Sequence, residues 1–300
     1  QASKKVRVVS VATLMGDAPY ASVTVALLES DLPGGHSPGY FAVVNVPPPI
    51  SAQTWRNDPA AFSGFADYFI AHELAHQWWG QAVGWKNYHE QWISEGFAQY
   101  FAALYAQETR GNETFNNMLR QFRRWTLSES EEGPVHLGYR LGHIKDDGRI
   151  FRALVYNKGA GVLHMLRRWH GDEVFFNALR RFYDDQKFRR AGTDDLRRAF
   201  EEESGISLER FFERWIFGAE LPSLRYRAGV EGPDIVVQFE QMTEALFDVP
   251  VTVTITYANG RTQELVVPVT DRLVVHRFAA EAAVRQIHVN RDNAALAVFA

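Results

Sequence analysis

The 300-residue sequence contains no cysteine. That excludes a disulfide framework, a thiol nucleophile and a metal centre built on thiolates, while the compartment stays open, because cysteine-free proteins occur inside and outside cells. No apolar run is long enough to span a bilayer. An excess of one charge is also missing. Thirty-two Lys and Arg (32) stand against 36 Asp and Glu, and the net −4 offers no footprint for nucleic acid or an anionic membrane. Arginine pairs recur, as at Arg123-Arg124 and Arg180-Arg181, but acids lie close by and solvated helix faces account for them. Internal repeats and low-complexity segments are not visible, and the opening residues do not read as a secretory leader. Because the chain opens on Gln1, the expectation is a processed piece of a longer soluble product, cytoplasmic or exported, with its address lost.

An apolar fraction of 46% and a charged fraction of 23% are those of an ordinary globular protein, long enough for two domains. The first fifty residues read as mixed and strand-rich: "YASVTVALL" and "GYFAVVNV" are apolar, β-branched runs bounded by glycine and proline, and "PPPISAQTWRNDP" reads as a loop. From about Phe62 to Phe217 the period turns helical. Val162, Leu163, Leu166 and Trp169 share one face, and Val174, Phe175, Ala178, Leu179 and Phe182 share another in the next segment. Thr193 before "DDLRRAF" reads as a helix cap. Beyond "FGAELPSLRY" the pattern alternates with period two, and Asn259-Gly260 is a hairpin signal. The expected class is α+β, with residues 1–220 as a mainly helical unit carrying a small sheet and residues 221–300 as a small antiparallel β-sandwich.

The chemistry concentrates in "AHELAHQWWG", residues 71–80. His72 and His76 are four apart, so on a helix their imidazoles share a face and can meet one ion, with Glu73 beside the first as a candidate base. Zinc suits such nitrogen and carboxylate ligands and leaves a position open for water in catalytic sites. The pattern also arises by chance in buried helices, so a third ligand decides. Candidates are His89, Glu90 and Glu95. Glu95 is chosen, because it opens the helix "SEGFAQYFAALY", whose small Ala98 and Ala102 allow close approach; Glu90 reads as a solvent carboxylate or an acceptor for a histidine N–H. Other histidines carry less weight: His164, His170, His276 and His288 suit packing or surface roles, and His136 and His143 are weak candidates for a cleft.

HELAH, followed at a spacing of eighteen residues by the glutamate of "SEGFA", resembles the gluzincin metallopeptidases of the aminopeptidase N family. "VYNKGAGVLHML" and "ISLERFFERWIF…LPSLRY" extend the resemblance over most of the chain. The resemblance implies a thermolysin-like catalytic domain over residues 1–220, one Zn²⁺ per chain, a peptide substrate and hydrolysis as an aminopeptidase. It also implies a catalytic role for Tyr156, which the chain alone reads equally well as a half-buried tyrosine at a helix start. Two departures stand out. The family's N-terminal β-domain, expected to pack on the catalytic domain, has no counterpart here. The family's Gly-x-Met-Glu-Asn segment, whose glutamate holds the substrate amine, is replaced by "LPGGHSPGYFAVVN", without an acid after Asp31. Gly34, Gly35 and His36 are the candidate substrate-binding residues there, with the following strand available to pair with a peptide backbone. The alternatives are an endopeptidase or a peptidase with altered end recognition, and a non-catalytic peptide-binding module that keeps the metal.

Overall fold

The structure, a computed structural model, describes residues 9–29, 35–46, 59, 62 and 67–300. Helix α1 (Val9–Met15) leads into a three-stranded sheet in which β1 (Thr24–Glu29) runs parallel to β3 (Phe41–Val46), with β2 (Gly35–His36) antiparallel on the other side of β3. The proline-rich loop expected from Pro47 lies outside the described residues up to Pro59. Helix α2 (Tyr68–Ala75) packs beneath the sheet, and polar contacts from the helix and from Gln77 just beyond it hold the two together. Ser37 Oγ donates to the Glu73 carbonyl at 2.6 Å, Tyr40 N–H donates to Gln77 Oε1 at 2.7 Å, and Gln77 Nε2 donates to the Pro38 carbonyl at 3.3 Å.

The helical lobe follows as expected. It comprises α3 (Trp92–Arg110), α4 (Asn112–Glu129), α5 (Gly138–Ile144), α6 (Gly148–Phe151), a π-helical segment at Arg152–Lys158, and α7 (Gly159–Gln186). At Gly171 the backbone takes φ +78° and breaks α7 in two. After the break Phe175, Ala178, Leu179 and Phe182 are buried on the face their spacing foretells, with Val174 half-buried. Before it Val162, Leu163 and Leu166 are buried and Trp169 half-buried, but every residue from Gly159 to Leu166 is enclosed, so that half has no exposed face there. One short parallel pair, β4 (Val83–Trp85) with β5 (Arg189–Ala191), interrupts the helices. Then come α8 (Thr193–Ser204) and α9 (Glu209–Phe212). Thr193 is not the cap of α8. Gly192 holds that position, its N–H donating to Asp195 Oδ2 at 2.8 Å.

Seven strands complete the chain: β6 (Ser223–Glu231), β7 (Asp234–Gln241), β8 (Val249–Tyr257), β9 (Thr262–Val269), β10 (Leu273–Ala279), β11 (Val284–Val289) and β12 (Val298–Phe299). They form a four-stranded sheet ordered β10-β7-β6-β12 and a three-stranded one ordered β11-β8-β9. The Asn259-Gly260 turn joins β8 to β9, with Gly260 at φ +83°. Two features depart from a simple antiparallel alternation. β12 pairs parallel with β6, and β8 is buried along nearly its whole length on both faces. Its outward threonines are covered because the helical lobe lies against it: Thr252 Oγ1 donates to Asp292 Oδ2 at 2.7 Å and accepts from Arg168 Nη2 at 3.3 Å. Trp215 Nε1 likewise donates to the Asp248 carbonyl at 3.0 Å. The apolar core therefore runs unbroken from the helices into the strands.

Candidate metal centre

Helix α2 carries Tyr68, His72 and Glu73 on neighbouring turns, and His76 closes it with its N–H still on the His72 carbonyl at 3.3 Å. Helix α3 brings Glu95 from its first turn. The close approach of α3 to the π-helical segment is made at Gly96, where a Cβ would meet the Val155 carbonyl oxygen at 3.0 Å and Gly159 at 3.2 Å. Ala98 and Ala102 are buried as expected, but the residue with no room for any side chain is Gly96.

These elements bring three donor atoms into one small triangle. His72 Nε2 and His76 Nε2 are 3.1 Å apart, and Glu95 Oε2 lies 3.3 Å from each. Among the described residues this is the group able to hold a metal ion. Four ligands bonded tetrahedrally at ~2.0 Å stand ~3.3 Å from one another, so the triangle has the size of one face of such a site. The orientation fits as well. His76 Nδ1 lies 3.0 Å from the Trp79 carbonyl, an acceptor, and His72 Nδ1 lies 3.2 Å from the Tyr68 hydroxyl, so in each ring Nδ1 has a partner behind it and Nε2 is the atom turned to the centre. Burial opposes a charge on Glu95, but the two imidazoles outweigh it and hold the carboxyl far below its usual range. His76 is penalised by burial too, yet the Glu95 carboxylate, helped by Glu73 and the Trp79 carbonyl, pushes it up to about 9.

The triangle lies in a cleft of ≈ 370 Å³ whose lining includes Gly35, His36, Ser37, Glu73, Arg152 and Tyr156. The Tyr156 ring stacks on that of His72, with centroids 5.7 Å apart and planes within 2°. Burial, followed by the Glu95 carboxylate, raises its phenol well above 10.0, so it stays a proton donor at neutral pH. Gly35, itself part of the lining, stands against Glu73: a Cβ there would be 2.4 Å from Glu73 Cγ, Cδ and Oε1. Gly34 lies outside the described residues, as does Asp31. Among the described residues the strand after the glycines is not an edge, because β3 is flanked by β1 and β2, and these two are the outer strands, with β2 on the side of the cleft lining.

Glu90 does neither of the things expected of it. Its Oε2 accepts from Thr193 N–H at 2.9 Å and from Thr193 Oγ1 at 2.6 Å, tying the start of α8 to the segment before α3. Neither His136 nor His143 is among the residues lining this cleft: His136 stacks on His89 at 4.5 Å, and His143 packs on Tyr139. Sequence reasoning missed Tyr68, Gln99 and Arg152. Tyr68 precedes His72 by one turn, Gln99 follows Glu95 by one turn and Arg152 precedes Tyr156 by four residues, so i±4 spacing from the candidate site residues was the available signal.

The description of the peptidase family M1 domain matches residues 65–215, half of the chain, including the triangle, Glu73 and Tyr156. The chain belongs to peptidase family M1. Among its relatives, aminopeptidase N of Lactococcus lactis subsp. lactis is 32% identical over 166 residues, covering 54% of this chain and 19% of that protein. Aminopeptidase M1 of Arabidopsis thaliana is 31% identical over 158 residues, covering 49% and 17%. The M1 chain thus spans about a fifth of the length of the curated relatives it matches. A crystal structure of Legionella pneumophila aminopeptidase A in complex with aspartic acid superposes with a TM-score of 0.67 at 16% identity, over 92% of this M1 chain and 31% of that one. At that identity the likeness speaks for the fold. None of the described helices is long and apolar enough to cross a membrane.

Proposed function

We propose that this M1 chain is the catalytic portion of a zinc metallopeptidase acting on peptides, with aminopeptidase action in the full-length protein. The observation that carries the reading is the triangle of His72, His76 and Glu95, closed to 3.1–3.3 Å inside a cleft shared with Glu73 and Tyr156. On this reading residues 1–220 form a thermolysin-like catalytic unit, residues 221–300 a β-sandwich that buttresses it, and an N-terminal β-domain of the family's type packs on the catalytic unit. His72, His76 and Glu95 hold the ion. A zinc there supplies Lewis acidity toward the scissile carbonyl and brings the pKa of water toward neutrality, from near 16 to roughly 7 in favourable sites.

The remaining work falls to this chain's own groups. Glu73 takes the proton of the attacking water and returns it to the leaving amine, a role typically worth ~10²–10⁴ in rate. Tyr156, kept protonated by its surroundings, donates its O–H to the oxyanion as the carbonyl becomes tetrahedral, worth about 3–4 kcal/mol for a preorganised donor. The β2 edge at Gly35 and His36 offers backbone groups along which a peptide can lie.

Glu73→Gln is the test. The amide cannot accept a proton, so the variant should keep its metal and its fold while kcat on short peptides falls by about 10²–10⁴. Tyr156→Phe should lower kcat with little change in KM, because its bond forms in the transition state. Near-full hydrolysis by both variants would defeat the reading in favour of a metal-bearing binding module.

A further inference from the structure

His72 is held from behind by a file of buried polar groups. Its Nδ1 lies 3.2 Å from the Tyr68 hydroxyl, and that hydroxyl donates to Gln99 Oε1. Gln99 Nε2 donates to Asn157 Oδ1 at 2.7 Å, and Asn157 Nδ2 donates to the Pro59 carbonyl at 2.9 Å. Gln99 and Asn157 are wholly buried and Tyr68 is 2% exposed, so bulk water does not compete for these groups.

The end of the file fixes its polarity. A backbone carbonyl can only accept, so Asn157 turns its NH₂ to Pro59 and its oxygen to Gln99. Gln99 must then offer Nε2 to Asn157 and its oxygen to Tyr68. Tyr68 spends its single hydrogen on Gln99, so toward His72 its oxygen accepts and His72 Nδ1 carries the donating hydrogen. The proton is thereby placed on Nδ1, and Nε2 faces His76 and Glu95 as a bare donor. For His76 the Trp79 carbonyl does the same directly at 3.0 Å.

Resting on the metallopeptidase reading, we infer that the file Pro59 carbonyl–Asn157–Gln99–Tyr68 sets the tautomer and ring orientation of His72, which makes Tyr68 and Gln99 positioning residues for the metal. Because Asn157 follows Tyr156, the same file ties the oxyanion donor's segment to the metal helix.

The test reads metal binding rather than turnover. Zn²⁺ affinity is measured by chelator competition, and the Co²⁺-substituted protein is followed by its visible absorption, for wild type, Tyr68→Phe, Gln99→Met and the double variant. Thermal melts of the metal-free proteins serve as the fold control. Tyr68→Phe loses only the hydroxyl and should weaken Zn²⁺ by about 10–100-fold, the usual effect of removing a ligand's outer partner, with a changed Co²⁺ spectrum. Gln99→Met should act in the same direction, and it carries the test alone if Tyr68→Phe does not fold. Since both act through one bond to His72, the double variant should bind Zn²⁺ no more weakly than Tyr68→Phe. Wild-type affinity and spectrum in the folded variants, or fully additive losses, would overturn the file. A wild type that binds no Zn²⁺ would instead overturn the peptidase reading beneath it.

Discussion

A Cβ placed on Gly35 would stand 2.4 Å from the Glu73 carboxylate, and the atoms it meets are the far end of a flexible side chain. Gly35→Ala therefore leaves the fold intact and moves the base. Its expected effect is a fall in kcat of at least about tenfold, within the range a positioned base contributes, with KM and melting temperature little changed. The sequence suggested another use for this glycine, as a contact for substrate backbone, and that use alone would give a raised KM at unchanged kcat. Steady-state kinetics separates the two. Residue-scale chemistry was otherwise the most legible part of the chain. His72, His76 and Glu95 were readable because i,i+4 spacing on a helix is a geometric statement in itself. Glu90 and Thr193 were misread because their partnership spans 103 positions, which no local pattern encodes.

The π-helical segment Arg152–Lys158 joins Tyr156 to a fully buried lysine. Lys158 Nζ donates to Ser130 Oγ at 2.8 Å and to the Gly218 carbonyl at 3.2 Å, two acceptors that the two N–H groups of a neutral amine can satisfy. Burial lowers its pKa from 10.5 to about 7. The unfolded chain therefore binds more protons than the native one between those values, so stability rises with pH across that window, and the penalty is complete below pH 7. Lys158→Met has no such term. Urea denaturation at pH 7 and 9 should show wild type gaining on Lys158→Met by on the order of 2 kcal/mol. A constant difference would mean that the ammonium is accommodated in the folded protein. Element by element, strong periodicity was a reliable guide: the buried face of α7 after Gly171 and the Asn259-Gly260 turn came straight from the sequence pattern. α1 did not, because a seven-residue stretch inside a mixed, strand-rich region shows too little helical period to stand out. Its helical state is backed by distant partners, with Arg180 Nη1 donating to the Leu14 carbonyl at 2.8 Å. β8 looked half-exposed for the same reason in reverse, since the helices that cover its threonines lie far away in sequence.

At the scale of the whole molecule, the question is what selects the end of a peptide. Among the described residues, the carboxylates lining the cleft are Glu73 and Glu95, and both already have tasks in the proposed chemistry. A substrate ammonium enclosed without an anion is costly. The 300-residue chain should therefore separate free from acetylated N-termini by no more than about tenfold in kcat/KM, or about 1.4 kcal/mol. A preference well beyond that, measured on matched peptides, would show that another acid reaches the amine. The account as a whole stands on the triangle of donors. Elemental analysis of the purified, dialysed chain tests it most directly, with Glu95→Ala and Glu90→Ala analysed beside wild type. One zinc per wild-type chain, lost in Glu95→Ala and kept in Glu90→Ala, is the predicted result; a wild type without zinc, or zinc kept in Glu95→Ala and lost in Glu90→Ala, would contradict it.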